Sequence, residues 1–405
     1  MSLIVQKFGG TSVANLERIS NVAKRVAKTF DEGHDVVVIV SAMSGVTDNL
    51  IKLANQITEL PDKRELDVIL ATGEQVTAPL LAITLQNMNY SATSLLGFQA
   101  EILTDGAYGN ARIVGISANK IKELLEKRNI VVVAGFQGWD SSGNITTLGR
   151  GGSDTSGVAI AAALKADVCE IYTDVDGIYT TDPNVCSKAK KINRISYEEI
   201  LEMASLGAKV LQIRSVEIAK NFNVPVHVRT SFSEEEGTMV VNEEPEMERV
   251  VVTGVTYNKN EARITLKNVP DQPGIAAKIL SPISDASIVV DMIIQNTKDS
   301  GETDFTFTVP KAEFKRAMDI ENRVAKDISA KEVAGDTNIS KISITGVGMR
   351  SHSGVAVKMF TTLAKENINI LMISTSEIRI SCVIDEKYTE KAVQLLHTAF
   401  GLDKQ

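Results

Sequence analysis

The fold is decided by the stretch Leu3-Ile-Val-Gln-Lys-Phe-Gly-Gly-Thr-Ser12, in which a short apolar strand ends at two adjacent glycines. A helical pattern follows, with apolar residues at positions 13, 16, 19, 22, 23, 26 and 30, and Gly33 is a stop signal. Residues 36–40 are then an unbroken β-branched run, which is typical of a strand buried in a parallel sheet. Together these elements predict one βαβ unit.

Strands and helices continue to alternate up to about residue 230. The patterns predict further helices at 65–70, 76–85, 113–126, 156–164, 197–206 and 210–221, and further strands at 91–95, 130–134, 168–173 and 226–229. Such alternation predicts an α/β fold whose mainly parallel sheet is covered by helices on both faces. We therefore expect one α/β domain over residues 1–232.

Composition and charge exclude several classes of protein. The chain has 405 residues, of which 43% are apolar and 23% charged, and this excludes a mainly disordered, collagen-like or small disulfide-rich chain. A net charge of −8 and an aromatic content of 5% argue against a nucleic-acid-binding surface. The longest apolar stretches are far shorter than the ~20 residues that span a bilayer, and no signal peptide is visible. We expect neither nucleic acid nor a membrane as a partner.

Cysteine and histidine are too sparse for two common kinds of site. The three cysteines, Cys169, Cys186 and Cys382, have no CxxC or CxxH spacing and are expected to be reduced thiols of a cytoplasmic protein. The four histidines are scattered without metal-ligand spacing. We therefore expect no metal held by protein ligands and no Ser-His-Asp triad.

An internal repeat follows an acidic, turn-rich stretch at 233–248. The segment Ile264-Thr-Leu-Lys-Asn-Val-Pro-Asp-Gln-Pro-Gly274 compares with Ile342-Ser-Ile-Thr-Gly-Val-Gly-Met-Arg-Ser-His-Ser-Gly354, and a helical pattern follows each glycine. Two strands and a helix come next, at 287–294, 304–309 and 314–327 in the first copy and at 368–373, 379–384 and 390–400 in the second. Two copies are too few for a solenoid and fit two small α+β domains.

Two glycine-rich turns form the first candidate site. Lys7-Phe-Gly-Gly10 lies between a strand and a helix, where glycines let backbone N–H groups approach a phosphate and Lys7 adds positive charge. Thr147-Leu-Gly-Arg-Gly-Gly-Ser-Asp154 repeats the arrangement, and Arg150 can fork onto a carboxylate or phosphate. Asp154 can either orient Lys7 or accept from a substrate ammonium. The two turns predict a site for several phosphates beyond the carboxyl ends of the strands.

A third polar segment follows the apolar strand at 168–171. Tyr172-Thr-Asp-Val-Asp-Gly-Ile-Tyr179-Thr-Thr-Asp-Pro183 contains the order DxDG, but it lacks the full spacing and the late Glu of an EF-hand calcium loop. We interpret it as an adenine and ribose pocket.

These motifs in combination identify a family. Lys7-Phe-Gly-Gly-Thr-Ser12, Ser41-Ala-Met-Ser-Gly-Val-Thr47, Gly73-Glu74, Gly149-Arg-Gly-Gly-Ser-Asp154 and Thr173-Asp174 together resemble aspartate kinase of the amino-acid kinase superfamily, and the repeats resemble its two C-terminal ACT domains. The resemblance covers nearly the whole chain. It implies an amino-acid kinase catalytic domain at 1–232, a linker at 233–248, and ACT domains of βαββαβ type at 249–338 and 339–405. The strand near 250–257 would join the second ACT domain.

The resemblance also implies roles for particular residues. Lys7, Arg150 and Asp154 would be catalytic, with Asp154 organising the lysine. ATP would be bound by Lys7, Phe8, Gly9, Gly10, Ser41, Thr173, Asp174, Tyr179, Lys209 and Val210. Aspartate would be bound by Thr47, Glu74, Arg150, Gly151, Gly152 and Ser153. Asn184 departs from the family, which often has Arg after Asp-Pro in the nucleotide loop, and one cation near ATP is therefore missing.

The implied reaction transfers the γ-phosphoryl group of ATP to the side-chain carboxylate of L-aspartate. The product would be 4-phospho-L-aspartate, the first intermediate on the way to lysine, threonine and methionine. The acceptor carboxylate is ionised at pH 7, because its ordinary pKa is ~3.9, so no general base is needed. Mg²⁺, bound mainly through the phosphates, would neutralise their charge together with the cations of the site.

The ACT repeats would carry a regulatory site for lysine, threonine or both, at ACT–ACT interfaces. The implied effector residues are Asp271, Pro273, Gly274, Ile275, Ala276, Gln295, Asn296, Thr375 and Ser376. The second copy has Met349-Arg-Ser-His-Ser-Gly354 in place of the Asp-Gln-Pro-Gly turn, so we expect the two copies to bind unequally. Simple helix capping by both turns stays open as the alternative. ACT pairing between chains implies a homodimer or tetramer, and an internal start at Met247 would give a separate regulatory subunit.

Two other functions share parts of this pattern. Another carboxylate or carbamate kinase of the same fold would have the same phosphate turns. An amino-acid-sensing protein would have the same repeats beside an inactive kinase domain. The presence of Lys7, Arg150 and Asp154 argues against the inactive form.

Overall fold

The structure is a computed structural model that describes residues 1–205, 210–243, 251–297 and 301–404. The chain forms two compact units, one of Met1–Ile178 and Lys191–Pro245 and the other of Tyr179–Lys190 and Glu246–Gln405. Lys209, predicted to bind ATP, and Met247, the predicted internal start, lie outside the described residues.

The first unit is built around a mainly parallel sheet, as predicted. Its strands are β1 (Leu3–Phe8), β2 (Asp35–Val40), β3 (Ala92–Leu95), β4 (Ile102–Thr104), β5 (Ile113–Ile116), β6 (Ile130–Ala134), β7 (Gln137–Trp139), β8 (Ile145–Thr147), β9 (Val168–Thr173), β10 (Ile178–Tyr179, at the unit boundary), β11 (Lys191–Ile192), β12 (Arg194–Ser196), β13 (Val226–Thr230) and β14 (Thr238–Val241). Eight of them form the central sheet in the order β12-β14-β13-β9-β1-β2-β6-β3, and β5-β4-β7-β8 form a smaller one. Only β13 and β14 are antiparallel neighbours in the central sheet.

Helices cover both faces of the central sheet. They are α1 (Leu16–Asp31), α2 (Val46–Ile57), α3 (Lys63–Asn87), α4 (Asn119–Glu126), α5 (Gly152–Leu164), α6 (Tyr197–Ser205) and α7 (Ile213–Phe222). The core beneath α1 and α3 contains Phe8 and Tyr172, whereas the core beneath α4 to α7 contains Val5 and Ile171. Successive side chains of a strand alternate between faces, so Lys7 follows Val5 onto the α5 side of the sheet.

The predicted break between helices at 65–70 and 76–85 is wrong, because α3 runs unbroken through Gly73 and Pro79. Glycine inside a helix costs ~1 kcal/mol relative to alanine. Here the missing side chain is needed, since a Cβ on Gly73 would lie 2.7 Å from the Cβ of Ala42. Close packing against the β2–α2 turn therefore overrides the local signal.

Helix α3 is also apolar enough, by length and composition, to cross a membrane, and among the described residues it is the one helix of which this is true. Half of its apolar window is buried inside the protein. Ala78, Leu81 and Leu85 on its inner face belong to the core that it shares with α1. The helix is thus an integral part of the first unit.

The predicted helix at 113–126 is wrong in its first part. Residues 113–116 form β5, which pairs antiparallel with β4, and the helix starts only at Asn119. A short apolar run fits both periodicities, so the pattern alone does not separate strand from helix. Ala118, at φ 53°, changes the chain direction between the two elements.

Part of the stretch predicted as a linker belongs to the central sheet. Strand β14 pairs with β13 and β12. Gly237 lies between β13 and β14, where only glycine fits, because a Cβ there would be 1.7 Å from the Val228 carbonyl oxygen. The acidic residues before it are also held. Glu234 pairs with Arg25 and Lys28 at 3.0 and 3.2 Å. Residues up to 243 therefore fold with the first unit and are not a solvated connection.

The second unit contains one six-stranded antiparallel sheet that runs through both repeats. Its elements are β15 (Gly254–Pro270), α8 (Ile275–Asp285), β16 (Ile293–Thr297), β17 (Glu302–Val309), α9 (Phe314–Asp327), β18 (Glu332–Thr345), α10 (Val355–Lys365), β19 (Met372–Thr375), β20 (Arg379–Asp385) and α11 (Thr389–Ala399). The strand order is β16-β17-β15-β18-β20-β19. The strands predicted at 287–294 and 368–373 start later than expected, at Ile293 and Met372.

The long strand β15 serves both repeats. Residues 262–270 pair with β17, whereas residues 254–258 pair with the end of β18, which lies beside β20. Val255 accordingly joins the core of the second repeat with Ile342, beneath α10 and α11. The first repeat has its own core beneath α8 and α9.

Residues 179–190 also belong to the second unit, although the sequence places them in the first domain. Thr180 is buried there, and its hydroxyl is 2.8 Å from Nε2 of the buried His397. The amide of Val255 donates to the Thr180 carbonyl oxygen at 2.7 Å. These contacts attach the segment to the second repeat.

Helix α9 buries a carboxyl group without a hydrogen-bond partner. Glu321 is fully buried, and neither Oε atom is hydrogen-bonded. Burial raises the pKa of this carboxyl to about 8. Glu321 is the eighth residue of α9, and the eighth residue of α11 in the second repeat is Leu396, which is also buried.

We predict that Glu321→Leu stabilises the second unit, and that the gain grows with pH. The pKa is higher in the folded than in the unfolded chain, so wild-type stability falls as the pH rises from ~4.5 towards 8. The leucine variant should raise the free energy of unfolding by roughly 1–3 kcal/mol at pH 8 and by less at pH 5. Urea denaturation at both values measures this, with Asp319→Asn on the exposed side of α9 as the control. An equal gain at the two pH values would contradict the prediction.

Candidate active site

The glycine turn after β1 lies where three parallel strands end. The amide of Gly9 donates to the Tyr172 carbonyl oxygen of β9, and the amide of Ser41, after β2, donates to the Phe8 carbonyl oxygen, both at 3.1 Å. Gly10 packs tightly, since a Cβ there would lie 3.0 Å from the carbonyl oxygen of Ala42. The ends of β1, β2 and β9 therefore form one edge, where open α/β sheets bind their ligands.

A cavity of about 300 Å³ opens at this edge. Its lining includes most of the predicted site, namely Lys7, Gly10, Ser41, Thr47, Glu74, Arg150, Gly151, Gly152, Ser153 and Asp154. It also includes Ala42, Met43, Ser44, Gly45, Phe136 and Gly149. The structure thus brings together residues that lie up to 147 positions apart in the sequence.

An ion pair occupies one wall of the cavity. Lys7 Nζ is 2.5 Å from Asp154 Oδ1, and the two side chains are only 9% and 12% exposed. Helix α5 starts at Gly152, four residues earlier than predicted, so Asp154 lies in its first turn. One turn later Gly157 makes room for the stem of the lysine, because a Cβ there would lie 3.2 Å from the Lys7 Cβ. Of the two roles that the sequence allows for Asp154, this geometry has it orienting Lys7.

Glu74 brings a carboxylate with one free oxygen to the cavity. It is 3% exposed, and its Oε1 accepts from the Ala42 amide at 2.9 Å. Its Oε2 is buried and has no hydrogen-bond partner. Burial raises the pKa of this carboxyl to about 7. The free oxygen is suited to accept a hydrogen bond from a cationic ligand.

Arg150 lies on a loop that neighbouring residues hold in place, and its guanidinium has no ion-pair partner among the described residues. Its side chain is exposed, and it has no ion pair or hydrogen bond with any residue of the described ranges. The flanking Gly149 and Gly151 adopt φ values of 76° and 71°, which favour glycine. Arg214 donates to the Leu148 carbonyl oxygen at 2.6 Å, which fixes the preceding backbone. The loop is thus held while the guanidinium remains available to a ligand.

Two of the supporting residues escape the sequence motifs. Arg214 is one of them. Asp67 is the other, since it is fully buried and accepts from the amide and hydroxyl of Thr147 and from the amide of Gly109. The only signal for Asp67 is a charged residue inside an otherwise apolar helical pattern. Its partners are Gly109, in a loop 42 residues away, and Thr147, at the end of β8 and 80 residues away, so local reasoning does not find them.

The predicted nucleotide residues are less closely grouped. Thr173 is the last residue of β9 and Asp174 follows it at the same edge, where the Thr173 hydroxyl donates to Asp174 Oδ1 at 3.0 Å. Phe8 offers only its backbone, because its ring is buried against Tyr172 with the ring centroids 4.6 Å apart. A side-chain contact of Phe8 with ATP is therefore ruled out. Val210 packs on the core beneath α5 and α7.

Tyr179, which is predicted to bind ATP, and Asn184, where the family often has Arg, belong to the second unit. Both lie in the segment 179–190. The Asn184 amide donates to Asp182 Oδ1 at 2.8 Å, and the residue is exposed. The cavity described above contains neither of them.

Known proteins share this organisation. Residues 2–230 match the amino acid kinase family, and residues 263–325 and 342–400 match ACT domains. The aspartate kinase of Stutzerimonas stutzeri strain A1501 is 58% identical over 404 residues, which cover 100% of this chain and 98% of the relative.

The chain belongs to the aspartate kinases. Two crystal structures of Escherichia coli aspartokinase III are 25% identical in sequence to this chain. In each case the match covers 98% of this chain and 99% of the E. coli chain. The TM-score is 0.78 for the complex with aspartate and ADP and 0.80 for the complex with lysine and aspartate. The aspartate kinase activity and the fold that the sequence motifs imply are thereby confirmed.

Proposed function

We propose that this aspartate kinase transfers the γ-phosphoryl group of ATP to the side-chain carboxylate of L-aspartate, and that it does so in the cavity beside Lys7. The observation that carries the proposal is the buried Lys7–Asp154 pair next to the Gly9-Gly10 turn. It supplies a fixed cation where backbone amides meet a helix N-terminus, as phosphoryl transfer requires. The E. coli relative bound to aspartate and ADP supports the choice of substrates.

ATP would approach along the ends of β1 and β9. Its phosphates would lie on the glycine turn and the first turn of α5, with Lys7 on the transferred group. Thr173, at the end of the strand beside this turn, and Asp174, directly after it, would contact the nucleoside. Because Asp154 fixes Lys7 before any ligand arrives, the cation needs no rearrangement during the reaction.

L-aspartate would be held by its α-carbon groups at the opposite wall. The free guanidinium of Arg150 would take the α-carboxylate with two parallel hydrogen bonds. The free Oε2 of Glu74 would accept from the α-ammonium. Thr47 lines the same wall at the start of α2. These contacts would leave the side-chain carboxylate directed towards Lys7 and the phosphates.

The chemical step needs no proton transfer. A side-chain carboxylate oxygen of aspartate forms a bond to the γ-phosphorus, and the bond from that phosphorus to the bridging oxygen of ADP breaks, so that ADP leaves with the electron pair. The nucleophile is already an anion at pH 7. The task of the protein is therefore to bring two anions together and to neutralise the charge between them.

Mg²⁺ would be held mainly by the phosphates of ATP. No group of three or more His, Cys, Asp or Glu residues in the described part of the chain is placed to hold a metal. At the cavity, Asp154 is already paired with Lys7, and one oxygen of Glu74 is bound to Ala42. This donor set fits a cation that arrives with the nucleotide and keeps much of its water. When bound, the ion would neutralise phosphate charge.

We predict that Lys7→Ala reduces turnover by at least ~100-fold, because it removes a fixed donor to the transferred group. The assay incubates the protein with Mg-ATP, L-aspartate and hydroxylamine and measures the hydroxamate formed from the acyl phosphate. Lys24→Ala, on the exposed side of α1, is the matched control and should retain wild-type turnover. Retained turnover in Lys7→Ala, or product with glutamate or carbamate but not with aspartate, would overturn the proposal.

Glu74 should make aspartate binding depend on pH. Only the ionised carboxylate accepts from an ammonium, and the pKa of about 7 means that this form is lost as the pH falls below 7. We predict that KM for aspartate rises about tenfold per pH unit below 7, with a smaller change in kcat. Glu74→Gln should raise KM by roughly 10–100-fold and flatten the profile, whereas Glu65→Gln on the exposed side of α3 should not. A wild-type profile that is flat from pH 5.5 to 8 would refute this role.

We further propose that lysine, threonine or both inhibit the enzyme at the ACT repeats, as the E. coli relative bound to lysine suggests. In the first repeat, Gly274 caps α8 at φ 88°, and the turn from Asp271 to Ala276 contains the exposed Asp271 and Pro273. Gln295 and Asn296 are exposed on β16, at one edge of the sheet. This surface would hold the effector, with its carboxylate at the N-terminus of α8.

The effector residues of the second repeat lie elsewhere. Thr375 and Ser376 are at the end of β19, at the opposite edge of the same sheet from β16. A site that combines both sets therefore needs a second chain, which supports a homodimer formed through the ACT repeats. Gly354 caps α10 at φ 88° as Gly274 caps α8, but a 3₁₀ helix at Val347–Ser351 replaces the Asp-Gln-Pro-Gly turn.

Asp271→Ala should weaken feedback inhibition without changing turnover in its absence. We expect the lysine or threonine concentration for half-inhibition to rise by more than tenfold, because an effector ammonium would lose a charged partner. His352→Ala, in the corresponding turn of the second repeat, should have a smaller effect. Inhibition curves with each amino acid alone and with both together measure this. The regulatory proposal would be ruled out if wild-type turnover did not respond to lysine alone, to threonine alone or to both together.

A further inference from the structure

A second cavity lies within the second unit. Its volume is about 680 Å³, which is more than twice that of the cavity beside Lys7 and within the usual range for small-molecule sites. Three parts of the chain line it, namely residues 186–188 of the segment 179–190, the end of α10 and one side of α11. None of the described residues that are proposed to bind substrates or effectors lines it, so the cavity has no part in the proposed function.

The segment that forms one wall of this cavity is fixed to the second repeat. Gln394 of α11 donates its side-chain amide to the Val185 carbonyl oxygen at 2.7 Å. The Tyr257 hydroxyl donates to Asp182 Oδ2 at 3.0 Å. Cys186 is 4% exposed, and its amide donates to the Asp182 carbonyl oxygen at 3.0 Å. The cavity is therefore bounded by backbone that is in place before a ligand binds, which lowers the cost of binding.

Positive charge dominates the lining of the cavity. Lys188, Lys365 and Lys391 come from the three different parts of the chain, and Glu366 is the one acidic residue among the described lining residues. That carboxylate is already paired, since Lys391 Nζ is 2.7 Å from Glu366 Oε2. Within the described part of the chain, the side chains of Lys188 and Lys365 form no ion pair and no hydrogen bond. Two free ammonium groups therefore line one cavity, whose net charge is +2.

The first repeat does not carry this charge. When α8 is aligned with α10 and α9 with α11 from their first residues, the charged positions equivalent to the lining cancel one another. These residues of the first repeat are Asp285, Arg316, Asp319 and Arg323. In the second repeat the same positions and the cap of α10 sum to +1, and Lys188 raises the total to +2. The positive cavity is thus a property of the second repeat and its attached segment.

We propose that this cavity binds a small organic phosphate. Lysine is a common phosphate ligand, whereas a carboxylate is best recognised by the fork of arginine, and no arginine is among the described lining residues. Ser187, Thr362 and Thr398 add hydroxyl groups that can donate to phosphate oxygens. Leu395 and Ala399 add apolar surface for a carbon skeleton. A nucleic acid, another source of phosphate, is disfavoured by the net charge of −8.

Binding in this cavity should hold the segment 179–190 more firmly on the second repeat. A phosphate between Lys188 and Lys365 would connect the segment with α10. A ligand that binds only the closed arrangement lowers the fraction of time in which the segment opens, and amide hydrogen exchange there slows accordingly.

Hydrogen exchange measured by mass spectrometry tests the site, because it separates this cavity from the one beside Lys7. The probe is inorganic pyrophosphate, added to the full-length protein. At ten times its Kd it should slow exchange about tenfold in peptides that cover residues 180–190 and 362–366. Slower exchange only in peptides that cover residues 7–12 and 150–157 would overturn the proposal, since pyrophosphate would then bind at the catalytic cavity alone.

A matched pair of variants tests the role of the free lysine. Lys365→Gln should raise the pyrophosphate concentration for half-maximal protection of residues 180–190 by at least ~10-fold, because a charged hydrogen-bond donor is lost. Lys326→Gln is the control, since Lys326 is likewise an exposed lysine in the last turn of a helix, α9 of the first repeat. It should leave that concentration unchanged. Equal protection in Lys365→Gln and the wild type would refute the site.

Citrate tests the chemical class of the ligand, because it carries three carboxylates and no phosphate. It should need at least ~10-fold more than pyrophosphate for the same protection of residues 180–190. Protection by citrate at lower concentration than by pyrophosphate would overturn the assignment to phosphate. An absence of protection by pyrophosphate up to ~10 mM would overturn the site itself.

Discussion

The buried ion pair between Lys7 and Asp154 is the constraint on which the first unit depends. Two nearly buried charges are tolerated only as partners, so β1 must deliver the lysine and α5 must begin where the aspartate can meet it. That requirement explains Gly157, which clears the lysine stem, and the early start of α5 at Gly152. The same arrangement places a fixed cation beside a glycine turn and a helix N-terminus, which is where the proposed reaction needs the phosphates to lie. Fold and chemistry therefore rest on one contact.

The sequence predicts the parts of the fold that local physics decides. The β-branched strands, the glycine turns and the repeat all follow from short-range patterns, and so do most residues of the cavity. It fails where distant packing decides, as at Gly73, which packs directly against Ala42, and at Asp67, whose partners lie far away in the sequence. The ring of Phe8 shows a related limit, because a motif names the residue without saying which face of the strand its side chain takes.

The division of the chain into units adds a feature that motifs do not contain. Residues 179–190 leave the first unit soon after β9, which ends at Thr173 beside the glycine turn, and return to it at Lys191. Within the second unit the segment is tied to the second repeat through Thr180 and its contacts with Val255 and His397. Fewer than ten residues of continuous chain separate Thr180, in the second unit, from Thr173 at the end of β9 in the first. The two units are thus joined here by a short covalent connection, in addition to the one after β14.

Helix α3 positions Glu74 by close packing on its inner side. This side brings Glu74 to the cavity, where the residue is 3% exposed. Because Gly73 has no side chain, the backbone of α3 packs directly against Ala42, and this contact restricts movement of the helix. The next residue, Glu74, accepts from the amide of the same Ala42, so backbone packing and a hydrogen bond hold it at one place. A carboxylate with one unpaired oxygen needs such support if it is to bind the substrate ammonium proposed above.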